Sequence, residues 1–391
     1  ISDVLGLSKI LKKEFPEAYI ILGGPHVSFE HEKAIKESYV DFCIRGEGEV
    51  TLLELISALK NKENLRKIQG VTFKIKDKVY VNPDRNFIEN LDEIPFPAWD
   101  LLPLDRYCGH IVTERGKPFM SVLATRGCPF NCKFCSLHRL WKKQRRRSVE
   151  NVLDEIETLY RDYGIRYLSF SDDLLVLDNK WAIELFRGMI ERGLDKIKWE
   201  CNGRIGVMTE ELLREMKNAN CQSIAYGIEF GNQRILDFSG KGIKISQIEH
   251  DIELTKKIGI PCKAFFMIGY PTETEETVRD TMNLAKRLKV DYMTVSLVVP
   301  FPGTELYDYC KEKGLLRNSG DHSYGIPELK GETLELPNLP PKKLLELQTK
   351  MYRKCMLRPS YVLKMLVKHP KKTLLFGPKT IKGLLKSKFG G

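Results

Sequence analysis

The sequence predicts an α/β protein built on parallel strands, and three observations carry that expectation. From Met120 onward a strand–helix alternation repeats six times. A shorter strand–helix alternation fills residues 1 to about 60. Three cysteines sit just beyond the first strand of the longer run, where parallel α/β folds place their ligands. Regular alternation implies right-handed crossovers, and six units suit an open partial barrel.

The composition agrees. A chain of 391 residues can bury large cores and accommodates two or three domains. Its 42% hydrophobic content is ordinary for a globular protein. No uninterrupted apolar run reaches transmembrane length. Of the ten cysteines, seven are scattered singly (Cys43, Cys108, Cys201, Cys221, Cys262, Cys310, Cys355), which suggests a reducing, cytoplasmic setting. The net charge of +11 is uneven, because the stretch Tyr361 to Gly391 holds eight Lys and no acid. The chain opens at Ile1 in mid-pattern and reads as an N-terminally truncated fragment.

In chain order, Leu5 to Phe15 has helical apolar spacing and Ala18 to Leu22 reads as a strand. Gly23-Gly24-Pro25-His26 reads as a turn before a helix at Phe29 to Ser38. A strand at Val40 to Ile44, a loop at Arg45-Gly46-Glu47-Gly48 and a helix at Glu49 to Leu59 complete the second half of an open, doubly wound sheet. Val71 to Val81 reads as a hairpin turning at Lys76-Asp77-Lys78, followed by a Pro- and Asp-rich connector, Asn82 to Cys108. The six barrel strands are expected at 120–124, 166–171, 196–201, 222–229, 261–268 and 292–298. Helices between them include Val149–Tyr163, with Ser148 as N-cap, and Glu273–Leu288. A Gly/Pro-rich loop at 317–340, a helix at Pro341 to Cys355 and the basic tail follow. The expected domains are 1–90, a linker at 91–117, a barrel at 118–320 and a helical basic extension at 321–391.

The cysteines form the stretch Cys128-Pro129-Phe130-Asn131-Cys132-Lys133-Phe134-Cys135, a C-x3-C-x2-C spacing. Thiolates ligate iron–sulfur clusters, and three local thiolates leave one iron of a 4Fe-4S cube open to a chelating molecule. Gly127, Pro129 and Asn131 suit a loop that wraps closely round a cluster. A disulfide framework fits poorly, because three clustered cysteines cannot all pair. A structural zinc site stays open on spacing alone, with His138 as its fourth ligand.

With these residues the chain resembles the radical S-adenosylmethionine superfamily, and in particular the subgroup with an N-terminal cobalamin-binding domain. The resemblance runs over nearly the whole chain. It implies that Cys128, Cys132 and Cys135 hold a 4Fe-4S cluster, whose open iron binds the methionine part of S-adenosylmethionine. Phe134 matches the aromatic residue that usually precedes the third cysteine. Gly23-Gly24-Pro25-His26 matches the last piece of the cobalamin domain, where glycines let the backbone approach the cofactor's tail and phosphate. The family's earlier motif, able to give cobalt a histidine ligand, would lie before Ile1.

At the strand ends, Ser171-Asp172-Asp173 stands where the superfamily contacts the amino group of S-adenosylmethionine; the alternative is a helix N-cap. Asn202 and Arg204 follow the third strand, where an arginine could pair with the methionine carboxylate or simply lie on the surface. Glu229, in Gly227-Ile228-Glu229-Phe230-Gly231, could accept both ribose hydroxyls. Phe230 departs from the family's usual small polar residue. Gly269 and Pro271, in Ile268-Gly269-Tyr270-Pro271, stand where the family packs against adenine. Pro300-Phe301-Pro302-Gly303-Thr304 resembles the subgroup's "PFPGT" turn, and could be purely structural, capping the helix from Glu305.

Lys142-Lys143-Gln144-Arg145-Arg146-Arg147 reads as a solvated or anionic-cofactor face, and nucleic acid is disfavoured as a partner. The tail alternates apolar clusters with lysines, a pattern that suits either contact with an anionic membrane through 359–391 or a helix covering the barrel.

The resemblance implies reductive cleavage of S-adenosylmethionine to a 5′-deoxyadenosyl radical. A cobalamin-dependent methyl transfer to an unactivated carbon of a small-molecule or lipid-like substrate would follow, with electrons from a donor such as flavodoxin or ferredoxin. No catalytic side chain is assigned. The alternatives are a cobalamin-linked cyclase or rearrangement enzyme, an RNA methylthiotransferase, and a non-catalytic metal-binding scaffold. The methylthiotransferase would need an RNA-binding barrel, and none appears.

Overall fold

The computed structural model describes residues 1–76, 78–107, 119–141, 143–316 and 334–358. Asp77, Cys108, Lys142, residues 317–333 of the Gly/Pro-rich loop and the tail from 359 lie outside the described residues. The chain divides into two compact units. One joins Ile1–Ile94, Gly127–Arg145 and Val299–Ile326, and the other joins Pro95–Arg126, Arg146–Val298 and Pro327–Gly391.

The first unit begins with α1 (Ser2–Glu14), β1 (Ile21–Leu22), α2 (Pro25–Ala34), β2 (Phe42–Ile44), α3 (Glu49–Asn61) and the hairpin β3 (Val71–Ile75) and β4 (Lys78–Val81). β1 and β2 are parallel, and β3 and β4 continue the sheet antiparallel. Side chains alternate across a strand, so β2 feeds two cores. Cys43 packs with Leu22, Val27 and Ile35 on one face, whereas Phe42 and Ile44 pack with Leu55, Val71 and Phe73 on the other. The helix expected at Phe29 to Ser38 runs instead from Pro25 to Ala34, so Pro25 and His26 belong to its first turn. Gly24, at φ 98°, is its N-cap and Pro25 its first helical residue, a position that suits proline's fixed φ and missing N–H.

Two short strands, β6 (Thr125–Arg126) and β7 (Arg145–Arg146), flank the cysteine segment in sequence, and α4 (Leu137–Trp141) lies inside it. The basic run that follows the cysteines is a solvated face only in part, because Lys143 and Arg146 are exposed and Arg145 is not. Arg145 is buried; its Nη1 donates to Glu47 Oε1 and Oε2 at 3.0 and 2.8 Å and to the Ile88 carbonyl at 2.6 Å. The Glu47 carboxylate also accepts the Ile88 N–H at 2.8 Å, and the guanidinium carbon lies 4.9 Å from the Phe87 ring centre. Burial leaves these two charges no water, so each is retained by the other and by backbone groups.

The second unit is an all-parallel six-stranded sheet in the order β12-β11-β10-β9-β8-β5. Its strands are β5 (Phe119–Val122), β8 (Tyr167–Phe170), β9 (Lys198–Gly203), β10 (Cys221–Glu229), β11 (Cys262–Ile268) and β12 (Tyr292–Leu297), each within a few residues of its expected position. One face is apolar and buried, through Val122, Phe170, Trp199, Tyr226, Phe266 and Val295. Helices α5 (Val149–Arg161), α6 (Asn179–Glu191), α7 (Glu210–Asn218), α8 (Gln233–Phe238), α9 (Ile245–Ile258) and α10 (Glu275–Leu288) alternate with the strands. Ser148 caps α5, its Oγ accepting the Asn151 N–H at 3.1 Å. α10 begins at Glu275 rather than Glu273, with Thr274 as its N-cap. The sheet ends at β12, where α12 (Pro341–Met356) satisfies the open edge. The Val295 N–H donates to Tyr352 Oη at 2.8 Å, and Gln348 Nε2 donates to the Val295 carbonyl at 2.7 Å.

The Glu47–Arg145 pair generates a stability prediction. Arg145→Met should cost about 3–5 kcal/mol by stranding a buried carboxylate, and Glu47→Leu/Arg145→Met should cost clearly less. Denaturant unfolding of the three proteins checks this; a double variant as unstable as the single one would contradict it.

Candidate functional site: the cysteine loop and the barrel strand ends

Cys128, Cys132 and Cys135 lie in one loop and form no disulfide; Cys132 is buried and the other two are half-buried, as is Phe134. The Cys135 N–H donates to the Cys132 carbonyl at 2.9 Å, so the C-x2-C pair closes a tight turn. Gly127 has φ 94°, and a Cβ there would collide with the carbonyl of Lys143. The loop therefore folds directly onto its own returning arm. His138, the candidate fourth ligand of a zinc site, has Nε2 3.7 Å from Glu305 Oε1. Among the described residues, no three His, Cys, Asp or Glu groups are set to hold one metal ion. Three thiols on one glycine-tight loop suit a cube by donor type and number, since a cube takes one thiolate per iron.

The loop is braced within its unit by the Pro300–Thr304 turn and α11 (Glu305–Glu312). The Leu306 N–H donates to the Lys133 carbonyl at 2.8 Å, and Arg139 Nη1 to Asp308 Oδ2 at 2.9 Å. Thr304 caps α11 as the sequence suggests, its Oγ1 accepting the Tyr307 N–H at 3.0 Å. The same turn meets the N-terminal sheet: a Cβ on Gly303 would strike the ring of Phe29, which lies on α2. The helix that begins at Gly24-Pro25-His26 and the cysteine loop thus rest on one turn. Gly23 and Gly24 are exposed at the end of β1, and a Cβ on Gly24 would meet open space.

In the second unit the strand-end residues separate into those turned inward and those left open. Asp172 is buried; its Oδ1 accepts the N–H groups of Ala124, at 3.1 Å, and Thr125. Burial pushes its carboxyl up to about 6 against the pull of those donors. Its Oδ2 is buried and has no hydrogen-bond partner among the described residues, whereas Ser171 and Asp173 are exposed. Neither acid caps the next helix; Asp178 does. Asn202 is exposed beside them, its Nδ2 3.5 Å from the Asp172 carbonyl.

Arg204 is not a surface arginine. It is buried and donates to the Lys241 carbonyl. Lys241 in turn donates from Nζ to Glu229 Oε1 at 2.9 Å, so one oxygen of Glu229 already has a cationic partner. Glu229 sits at φ 65°, at a register shift between β10 and β11. A left-handed non-glycine residue at a strand end is a strained feature that clusters at functional sites. Phe230 is fully buried, edge-on to Tyr270 with ring centres 5.2 Å apart.

Gly269 (φ 92°) and Pro271 lie in a loop held by Glu273, whose Oε2 accepts the N–H groups of Gly269 and Tyr270 at 2.7 and 2.9 Å. The sequence reading missed Glu273 and Lys241. It also missed Glu200, whose Oε2 collects Tyr167 Oη, Ser223 Oγ and Lys263 Nζ at 3.0, 3.2 and 2.6 Å. Strand parity carried a signal for Glu200, since it alternates with Trp199 and Cys201, which are buried on the helix side.

A three-thiol loop in one unit and an all-parallel sheet with polar strand ends in the other define a class, the parallel α/β proteins that carry a thiolate-ligated metal site. A model of the radical SAM superfamily matches residues 122–285. The chain is 36% identical over 369 residues to a Pyrococcus horikoshii protein named as an uncharacterized methyltransferase, covering 94% of this chain and 78% of that one. It is 29% identical over 333 residues to an anaerobic magnesium-protoporphyrin IX monomethyl ester cyclase of Cereibacter sphaeroides, covering 83% of this chain and 54% of that one. Among solved structures it is similar to the radical S-adenosylmethionine methyltransferase TsrM from Kitasatospora setae, solved with cobalamin and a 4Fe-4S cluster. There the TM-score is 0.67 at 19% identity, over 88% of this chain and 67% of that one. The chain belongs to the radical SAM superfamily, and so is an enzyme that works with a 4Fe-4S cluster and S-adenosylmethionine. No helix among the described residues is long and apolar enough to cross a membrane.

Glu273 gives a pH prediction. Burial raises its carboxyl from 4.5 to about 7. A folded pKa above the unfolded one stabilises the fold below the unfolded pKa, and that contribution is lost as pH rises through the folded pKa. Stability should fall between about pH 4.5 and 7, by at most about 3 kcal/mol from this group. Glu273→Gln, which mimics the protonated form, should flatten that slope in urea unfolding at pH 5 and 7.5. A variant slope parallel to wild type would contradict the assignment.

Proposed function

We propose that the protein is a cobalamin-dependent radical S-adenosylmethionine methyltransferase acting on an unactivated carbon of a small molecule. One observation carries the reading: the cysteine loop and the helix opening at Gly24-Pro25-His26 are braced on the same Pro300–Thr304 turn. When bound, the cluster supplies the electron that cleaves S-adenosylmethionine, and cobalamin supplies the methyl group.

The chain's own residues bind and orient. Cys128, Cys132 and Cys135 hold the cluster. Ser171, Asp173 and Asn202 offer exposed polar groups to the methionine ammonium, while Asp172 pins the backbone beneath them. Arg204 and Glu229 face the carboxylate and the ribose, and Gly269 and Pro271 pack on adenine. Gly23 and Gly24 leave space for the cobalamin tail, and the first N–H groups of α2 suit its phosphate.

A low-potential protein such as flavodoxin or ferredoxin is the proposed reductant, in a cytoplasmic setting that suits the nine cysteines among the described residues, which form no disulfide. A lipid-like substrate is the reading that would give the lysine-rich segment from 359 a role, at an anionic membrane. Cyclisation without methyl transfer is the second reading, favoured by the identity to the porphyrin-ester cyclase.

Two measurements test the proposal. Alanine at any of Cys128, Cys132 or Cys135 should abolish the brown chromophore and the formation of 5′-deoxyadenosine; near-normal iron in all three variants would refute the ligand set. Protein prepared with hydroxocobalamin should hold about one cobalt per chain, and Gly24→Phe should lower that content while leaving the iron unchanged. A cluster-replete wild type without cobalt would remove cobalamin from the mechanism.

A further inference from the structure

Between α8 and α9 the chain makes a turn, Ser239-Gly240-Lys241-Gly242, in which both glycines take left-handed φ values of 69° and 66°. An L side chain rarely adopts that conformation, so the turn's shape is set by its glycines. Lys241 between them is buried. Its carbonyl accepts from the Arg204 guanidinium and its ammonium donates to Glu229 Oε1 at 2.9 Å. One residue therefore holds the strand-end groups of both β9 and β10.

The remaining oxygen of Glu229, Oε2, has no hydrogen-bond partner among the described residues, and the side chain keeps 12% of its surface exposed. Glu229 is also close-packed behind: a Cβ on Gly227 would lie 2.5 Å from Oε1 and 3.0 Å from Lys241 Nζ. The carboxylate is thus backed on one side, paired on the second, and open at a single atom. A carboxylate oxygen is a good acceptor for a hydroxyl donor.

We propose that Lys241 is a positioning residue for nucleoside recognition. By fixing Glu229 Oε1 and the Arg204 guanidinium together, it presents Oε2 to one hydroxyl of the ligand's ribose and not to both. This rests on the reading of Glu229 as the ribose contact of S-adenosylmethionine.

The test uses the full, cluster-replete chain and three probes: S-adenosylhomocysteine and its 2′-deoxy and 3′-deoxy analogues, with dissociation constants from calorimetry. Wild type should bind one of the two deoxy analogues about tenfold more weakly than the parent, and the other about equally. Lys241→Met should bring that ratio close to one. General loosening of the pocket would weaken all three probes alike and leave the ratio unchanged. Gly242→Ala keeps both charges but strains the turn, and should lower the ratio part of the way; it decides the matter if Lys241→Met fails to fold. A folded Lys241→Met, or in its absence Gly242→Ala, that retains the wild-type ratio overturns the role of Lys241. Equal penalties for both deoxy analogues, or none for either, overturn the one-hydroxyl geometry. A wild type that binds none of the probes overturns the underlying assignment of the S-adenosylmethionine site instead.

Discussion

The buried pair of Glu47 and Arg145 is the constraint on which the first unit depends. A guanidinium and a carboxylate removed from water are costly unless matched, and here Nη1 is matched by the carboxylate and the Ile88 carbonyl while Nε and Nη2 have no hydrogen-bond partner among the described residues. Removing either charge strands the other. The pair joins the loop after β2 to the residue that closes the cysteine segment, so the N-terminal sheet and the thiols are mechanically one piece. The Pro300–Thr304 turn repeats the device from the other side, with a glycine pressed on Phe29 and α11 bonded to the loop backbone at Lys133. A cluster site needs thiolates held at fixed spacing, and a short loop with little core of its own obtains that rigidity from its neighbours.

In the second unit the same chemistry is applied to loops rather than to charges. Asp172 and Glu273 are carboxyls at strand ends that each collect two backbone N–H groups. Loops leaving a parallel sheet carry backbone donors that no neighbouring strand can satisfy, and a buried carboxyl is a compact way to satisfy two at once. Burial raises both carboxyls toward neutrality, to about 6 and about 7. Glu229 is handled differently, because it accepts a cation and leaves one oxygen outward. Three acids at comparable places in the fold thus have different tasks, and environment alone separates them.

The strands and helices were legible because they depend on local pattern. Each barrel strand lies within a few residues of its expected span, and Ser148 and Thr304 cap the helices their sequence context suggests. The start of α2 was misplaced because Gly-Gly-Pro reads equally as a turn or as a cap followed by proline at the first helical position. The cysteine spacing was legible for a similar reason, since its ligand logic lies within eight residues. What escaped depends on pairs remote in sequence. Nothing near Arg145 announces Glu47, 98 residues earlier, so Arg145 looked as solvated as its neighbours. Lys241 was invisible because its turn lies between two helices, away from every strand end in the sequence.

Asp172 shows that part of the missing information was present. It continues the parity of Leu168 and Phe170, both buried, whereas Ser171 and Asp173 take the other parity and are exposed. Period-two alternation carried one residue past the strand's end would have turned Asp172 inward. The same rule fails at Glu229, where the register shifts between Gly227 and Glu229. A bulge reassigns the face of every residue after it, and it is recognised from pairing partners rather than from the strand's own sequence. A ligand-facing acid can therefore be read from parity where the ladder is regular. Where a bulge intervenes the backbone must be seen, and strand-end sites concentrate such bulges because they re-aim a side chain toward the cofactor.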